Sequence, residues 1–126
     1  MSEVERLSEG KYLSLTTFRK DGTPVATPVW VARDGEALVV TTERSSGKAK
    51  RLRNSSKVLL APCDMRGKLT GTEVDGTAEL TDDAGTKRVS ELIGKRYGLQ
   101  FKLIYIFEKV RRRARDSVGI RITPSA

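Results

Sequence analysis

Histidine is missing from this sequence altogether, and a single cysteine, Cys63, stands alone. Without histidine there is no Ser-His-Asp or Cys-His arrangement, the commonest general base is gone, and most zinc sites lose their ligands. One cysteine cannot close an internal disulfide. If the chain is an enzyme, elimination points to a cofactor as the carrier of its chemistry. Aromatics are scarce too: three Phe, three Tyr and one Trp. Sheet-based readers of single-stranded nucleic acid stack bases on aromatic platforms, so nucleic acid ranks second among the partners considered below. No apolar run approaches the roughly 18 residues of a membrane span. Met1 to Arg6 mixes acidic and apolar residues and lacks the hydrophobic region of a signal peptide; the expected compartment is the cytoplasm.

Positive charge is what the chain has in excess. Lysine and arginine number 24 against 16 acidic residues, a formal net charge of +8. The excess is concentrated from Lys48 to Arg53, continuing to Lys57, and in Arg111-Arg112-Arg113 with Arg115. Such a balance suits nucleic acid, an anionic membrane surface or a polyanionic small molecule. With 126 residues, 37% of them hydrophobic and 32% charged, the chain reads as one globular domain with its own core.

Local patterns predict mainly β structure with helical insertions. Val4 to Glu9 reads as a short opening helix. Tyr12 to Phe18 alternates, Lys20-Asp21-Gly22 is a hairpin turn, and Val25 to Ala32 is a second strand whose Pro28 indicates an edge or a bulge. Asp34-Gly35 turns into a third strand, Ala37 to Thr42, which predicts an antiparallel meander. Lys57 to Cys63 and Thr72 to Leu80 follow as strands. Asp82 or Asp83 caps a helix to Tyr97 with Val89, Leu92 and Ile93 on one face. Phe101 to Arg113 reads as a helix, with Leu103 to Phe107 a strand as the alternative, and Val118 to Ile122 is the last strand. About six antiparallel strands with few helices suggest a small open or split barrel, since closure removes exposed edges.

The most informative stretch runs from Val39 to Leu60. An apolar strand leads through Thr41-Thr42-Glu43-Arg44-Ser45-Ser46-Gly47 into Lys48-Ala49-Lys50-Arg51-Leu52-Arg53 and a second apolar strand. Ser45 or Ser46 can cap a helix whose unpaired N–H groups and partial positive charge favour a phosphate. Gly47 lets a ligand approach the backbone, and Lys48 and Lys50 add full charges. The alternative is a solvated basic helix between two strands.

Taken together, Leu15-Thr16-Thr17-Phe18-Arg19-Lys20-Asp21-Gly22-Thr23-Pro24, Thr27-Pro28-Val29-Trp30-Val31, Thr41-Thr42, Ser46 to Arg53, Cys63-Asp64-Met65-Arg66-Gly67 and Gly76-Thr77-Ala78 resemble the flavin- and deazaflavin-dependent oxidoreductase superfamily. This is the split β-barrel, FMN-binding-like group related to pyridoxamine 5'-phosphate oxidase. Within it the chain is most similar to the branch that uses the deazaflavin coenzyme F420. It departs from the pattern in carrying Ser55-Ser56 where a proline follows the basic helix, and Pro62 just before the Cys63 loop.

The resemblance implies a homodimer with a flat tricyclic ring between two barrels and its phosphate near Ser46, Gly47, Lys48 and Lys50, with Arg53 a weaker candidate. Pro28, Val29, Trp30, Thr41 and Thr42 would line the ring or the chain leading to the phosphate, with Cys63, Arg66 and Gly67 nearby. Trp30 has core or dimer interface as its structural alternative, and Cys63 a buried apolar role. Arg66, Lys68 and the Arg111 cluster are candidates for the acidic oligoglutamate tail of F420. The implied activity is hydride transfer from the reduced deazaflavin to a small organic substrate, with a proton from water, Tyr12 or Tyr105. FMN is the alternative cofactor. A non-catalytic cofactor carrier and a basic nucleic-acid binder are the readings outside catalysis. No metal site is expected.

Overall fold

The computed structural model describes residues 2–98 and 117–125. Helix α1 (Glu3–Ser8) is capped by the Ser2 hydroxyl, which accepts from the Glu5 N–H at 3.1 Å. Strands β1 (Tyr12–Phe18) and β2 (Pro24–Trp30) form a hairpin in register from Tyr12↔Trp30 to Phe18↔Pro24. Its turn needs the positive φ of Gly22, 88°, a conformation that costs glycine nothing sterically. There follow β3 (Ala32–Asp34), β4 (Ala37–Glu43), α2 (Gly47–Asn54), β5 (Lys57–Cys63), β6 (Val74–Leu80), α3 (Asp83–Tyr97) and β7 (Ser117–Pro124). The expected helix over 101–113 lies outside the described residues.

All seven strands join one antiparallel sheet in the order β2-β1-β5-β6-β7-β4-β3. Its two edge strands, β2 and β3, are consecutive in the chain and separated only by Val31. Laid flat, six strand spacings would put those edges about 29 Å apart. One intervening residue spans roughly 7 Å at most. The sheet therefore curls until its edges meet, and this closes the half-barrel.

The predicted meander is corrected here. Val25 to Ala32 was expected to run as one strand between its neighbours, but β2 pairs with β1, and β3 pairs with β4. The strand changes partners at Val31. Alternation of side chains continues through such a crossing, so period-two patterning does not reveal it. Pro24 and Pro28 sit in an edge strand, where their missing N–H groups cost no ladder bond.

The inner face buries Leu13, Leu15, Val31, Leu38, Val40, Val58, Leu60, Ala78, Ile120 and Ile122, closed at the ends by Val4 and Leu7 of α1 and Leu52 of α2. A second cluster, Ala32, Val39 and Val89 with Leu92 and Ile93, lies between the outer face of β3–β4 and α3. Strand β4 is thus apolar on both faces because both are covered. Gly119 on β7 permits the close approach of α3: a Cβ there would lie 2.6 Å from Thr81 Oγ1 and 3.0 Å from Val89.

The edge-to-edge junction is fastened by the last turn of α3. The Tyr97 hydroxyl accepts from the Val31 N–H at 3.2 Å and reaches the carbonyls of Lys11, at 2.9 Å, and Val31. The Arg96 guanidinium donates to Val31 O at 2.7 Å and Gly10 O at 2.9 Å. Trp30 stacks on the Tyr97 ring with centroids 4.9 Å apart. Nearby, Asp34 accepts from Arg88 and Arg121 at 2.8 to 2.9 Å, and hydrogen bonds from these two guanidiniums hold its carboxyl far below the usual carboxylate range. Tyr97→Phe keeps the stack and removes the hydroxyl, so it should cost about 1–3 kcal/mol of folding stability. Urea denaturation of the variant measures this, and an unchanged midpoint would mean the junction holds without the hydroxyl.

Candidate functional site

Beyond Val31 the two sides of the junction separate. On one side β2 runs back from Trp30 to Pro24, paired among the described residues only with β1. On the other, β4 pairs with β3 no further than Val39, so among the described residues its Val40–Glu43 half is paired only with β7. Strands β2 and β4 touch, but no ladder joins them. The result is a seam flanked by two strand edges, the split of the barrel. Thr27, on the inner face of β2 with Val25 and Val29, has a buried hydroxyl with no hydrogen-bond partner among the described residues.

Helix α2 begins where β4 leaves this seam. Ser46 is the cap: its Oγ accepts from the Ala49 N–H at 3.1 Å and lies 3.0 Å from Thr42 Oγ1. Capping leaves the N–H groups of Gly47 and Lys48 at the open start of the helix. Ala49 and Leu52, three residues apart, face the core. That geometry sets the orientation of every basic side chain on α2.

Lys48 and Arg51 are also three apart and share a face. The Arg51 Nε–H donates to Thr17 Oγ1 at 2.6 Å, and its guanidinium lies across the first turn, where a Cβ on Gly47 would stand 2.7 Å from Nη1. The space over Gly47, expected to admit a ligand, is thus used by Arg51. Lys48 is half-buried. Burial, then the charge of Arg51, holds its ammonium pKa below the ordinary value. Burial, then the charge of Arg19, depresses Arg51 in the same direction. Among the described residues no carboxylate forms an ion pair with Arg19, Lys48 or Arg51. Three neighbouring cations, two of them partly desolvated, repel one another, and an anion placed among them would relieve that repulsion.

The other expected residues divide into two sets. Thr41 and Thr42 are half-buried on β4, above α2, whereas Lys50 is exposed and projects away from the Lys48–Arg51 face. Arg53 is exposed and donates to the Arg44 carbonyl at 3.1 Å, bracing the turn before the helix. The second set gathers on the outer face. Trp30, Tyr12, Cys63 and Leu69 are successive cross-strand partners in one row. Gly67, at φ 91°, turns the 64–68 loop, where a Cβ on it would lie 3.7 Å from the Pro28 ring, and Asp64 Oδ1 accepts from the N–H groups of Arg66 and Lys68 at 2.9 Å. Val29 packs on the core. Cys63 is buried, and that burial raises its thiol pKa, with Asp64 adding to the effect. Arg66 and Lys68 are exposed, and the Arg111 cluster and Tyr105 lie outside the described residues. No hydrogen bond or ion pair among the described residues joins the two sets.

Arg51, Thr17 and Arg19 are missing from the sequence-derived candidates. The i, i+3 spacing from Lys48 was enough to find Arg51. Thr17 comes from β1 and Arg19 from the turn that follows it, and only the packing of α2 against that hairpin brings them in.

Sulfate should raise the melting temperature of the parent protein by binding this cluster. Lys48→Ala and Arg51→Met should lose most of that rise, and Lys50→Ala should keep it. In anion-free buffer Arg51→Met should stay within about 1 kcal/mol of the parent, because relief of repulsion offsets the bond lost to Thr17. Equal behaviour of all three variants would show that the cluster does not act as a unit.

Among the described residues no helix is long and apolar enough to cross a membrane, and no group of three potential metal ligands occurs. No curated protein matches the chain significantly. Solved structures do. An F420 reductase is 26% identical and superimposes with a TM-score of 0.72, over 100% of this chain and 96% of that one. A conserved hypothetical protein of Mycobacterium tuberculosis is 24% identical with a TM-score of 0.75, over 100% and 82% of the two chains. The haem storage protein of Vibrio cholerae shares the fold at 18% identity, with a TM-score of 0.71 over 97% and 87%. The sequence profile described as pyridoxamine 5'-phosphate oxidase matches residues 3–126, and the chain belongs to that split-barrel family.

Proposed function

We propose that this protein is an oxidoreductase that binds the deazaflavin coenzyme F420 and uses its reduced form to reduce a small organic substrate. The observation that carries the reading is the uncompensated pair of Lys48 and Arg51 on the first turns of α2, beside the seam, with Arg19 adding its charge next to Arg51. The 26% identity to an F420 reductase over the whole chain supports the choice of cofactor. The residues present fit an acidic phosphate: two half-buried cations, free N–H groups at a capped helix start, and the hydroxyls of Thr42 and Ser46. The Thr27 hydroxyl, buried without a partner among the described residues, adds a polar position on the seam strand.

When bound, the reduced deazaflavin supplies the hydride. The work of the chain is to bind, orient and exclude water. Lys48 and Arg51 would hold the phosphate, fixing one end of the ligand against a rigid helix. The open edge of β2, with its backbone N–H and C=O groups, would align the ring along the strand. Pro28 and Trp30 would limit access of water from the outer face. Tyr12, in the same row as Trp30, is the phenol on that face.

A second copy of the chain completes this reading. Pro28, Met65 and Leu69 are exposed on the outer face, with Trp30 at 38% exposure beside them. Val31 takes no part in that face, since it is fully buried in its own core. Light scattering at micromolar concentration should give twice the 13.9 kDa chain mass, and Met65→Glu/Leu69→Glu should give the monomer. A parent that scatters as a monomer would remove the second subunit from the site.

Fluorescence titration tests the cofactor. Lys48→Ala should weaken F420 binding roughly 10- to 150-fold, the loss of one charge-assisted bond. FMN, titrated in parallel, should bind the parent more weakly than F420. Unchanged F420 affinity in the variant would overturn the phosphate assignment, and tighter binding of FMN with turnover would make the protein a flavin enzyme.

A further inference from the structure

Continued in its own register, the β3–β4 ladder would run on along β2 and close the split. That ladder sets Asp34 opposite Ala37 and Ala32 opposite Val39. Extended past Val31, it would set Trp30 opposite Thr41, Val29 opposite Thr42 and Pro28 opposite Glu43. The backbone of β2 is in phase for this. The Val31 N–H donates to Lys11 O at 3.3 Å and the Arg19 N–H to Thr23 O at 2.9 Å, both across the β1–β2 hairpin. Backbone groups alternate in direction along a strand. Thr23, Val25, Thr27, Val29 and Val31 therefore turn theirs to β1, and Pro24, Ala26, Pro28 and Trp30 turn theirs to the seam.

The phase of β4 follows in the same way. The Thr81 N–H donates to Gly119 O and the Ser125 N–H to Asp75 O, both at 2.9 Å, so Gly119 turns its backbone groups to β6. Val118 and Ile120 then face β4, where they stand opposite Thr42 and Val40. That leaves the backbone groups of Thr41 and Glu43 directed into the seam. A closing ladder would make its hydrogen-bonded pairs at Trp30–Thr41 and Pro28–Glu43. At the second pair Pro28 has no N–H to give. Glu43 O already accepts from the Ser46 N–H at 3.0 Å, but a carbonyl has two lone pairs and can take a second donor. The bar to that rung is the proline.

We infer that Pro28 keeps the barrel split, by removing the rung that would let the β3–β4 ladder zip β2 onto β4. One rung at Trp30–Thr41 with none to follow does not hold two strands together, so they diverge beyond Val31. Closure would cover the backbone of Thr41 and Glu43 and bring Val29 against Thr42. Pro28 prevents this whichever ligand the seam receives. Pro24 lies past the point where β4 ends at Glu43. It blunts the free edge against a second sheet and has no part in the seam.

The test compares the parent with Pro28→Val, Pro28→Ala and Pro24→Val by NMR. In a closed ladder Val29 and Thr42 would form a pair without hydrogen bonds between them, the geometry in which the two backbones come closest. A nuclear Overhauser effect between their Hα atoms should be present in both Pro28 variants and absent from the parent and Pro24→Val. Exchange of the Thr41 and Glu43 amide hydrogens should slow roughly 3- to 10-fold in the Pro28 variants, about the net worth of one hydrogen bond each. In Pro24→Val it should keep the parent rate. The Hα signal in the parent or in Pro24→Val, or its absence from Pro28 variants that fold, would overturn the inference. So would unfolding of both Pro28 variants, which would make Pro28 a determinant of the whole fold rather than of the split.

Discussion

Everything in this molecule depends on a one-residue link between strands at opposite ends of a seven-stranded sheet. Val31 leaves the chain no slack, so the sheet curls until β2 and β3 meet. The junction lacks a ladder bond between β2 and β4, and so it must be held some other way. Tyr97 and Arg96 do this by bonding the backbone at Val31, Lys11 and Gly10. These are buried or partly buried groups, whose loss leaves polar backbone unsatisfied. The same link that closes the barrel leaves it split beyond the junction.

The split is where structure and chemistry meet. An open strand edge offers backbone donors and acceptors, which most proteins cover or blunt. Here the edge of β2 lies near a helix whose first two turns bring Lys48 and Arg51 to one face, with Arg19 arriving from the β1–β2 turn. Folding this cluster costs stability, since desolvation and repulsion both lower the pKa of Lys48 and Arg51. Elsewhere the chain neutralises its buried or crowded charge, as where Asp34 meets Arg88 and Arg121. Partly desolvated cations left without an anion are the kind of perturbed group that marks a candidate binding site.

Much of the fold was legible because its signals are local. Glycines at Gly22 and Gly35 mark the turns, Asp82 caps α3, and β1, β4 and β5 follow from short apolar runs bounded by turn residues. The partner change at Val31 was not legible, because nothing in the alternation of Val25 to Ala32 records which neighbour a strand has. The same limit applies to the site. Ser46 and Lys48 are found from capping and charge, but the same reading of charge takes in Lys50 and passes over Arg51. The helix period puts Arg51 beside Lys48 and turns Lys50 away. The role of Gly47 shows the same effect: its missing side chain makes room for an arginine one turn later.

The central claim is that an anionic cofactor is held at the start of α2, beside the seam. Its most direct test is nitrogen-15 NMR of the labelled protein during titration with F420. The account predicts that the largest shifts fall on the amides of Thr17, Thr42, Gly47 and Lys48 and on the Arg51 Nε–H, with Val25 to Val29 of β2 following. Saturating shifts confined to the exposed face of α3, around Arg88 and Lys95, with α2 and β2 unchanged, would contradict it.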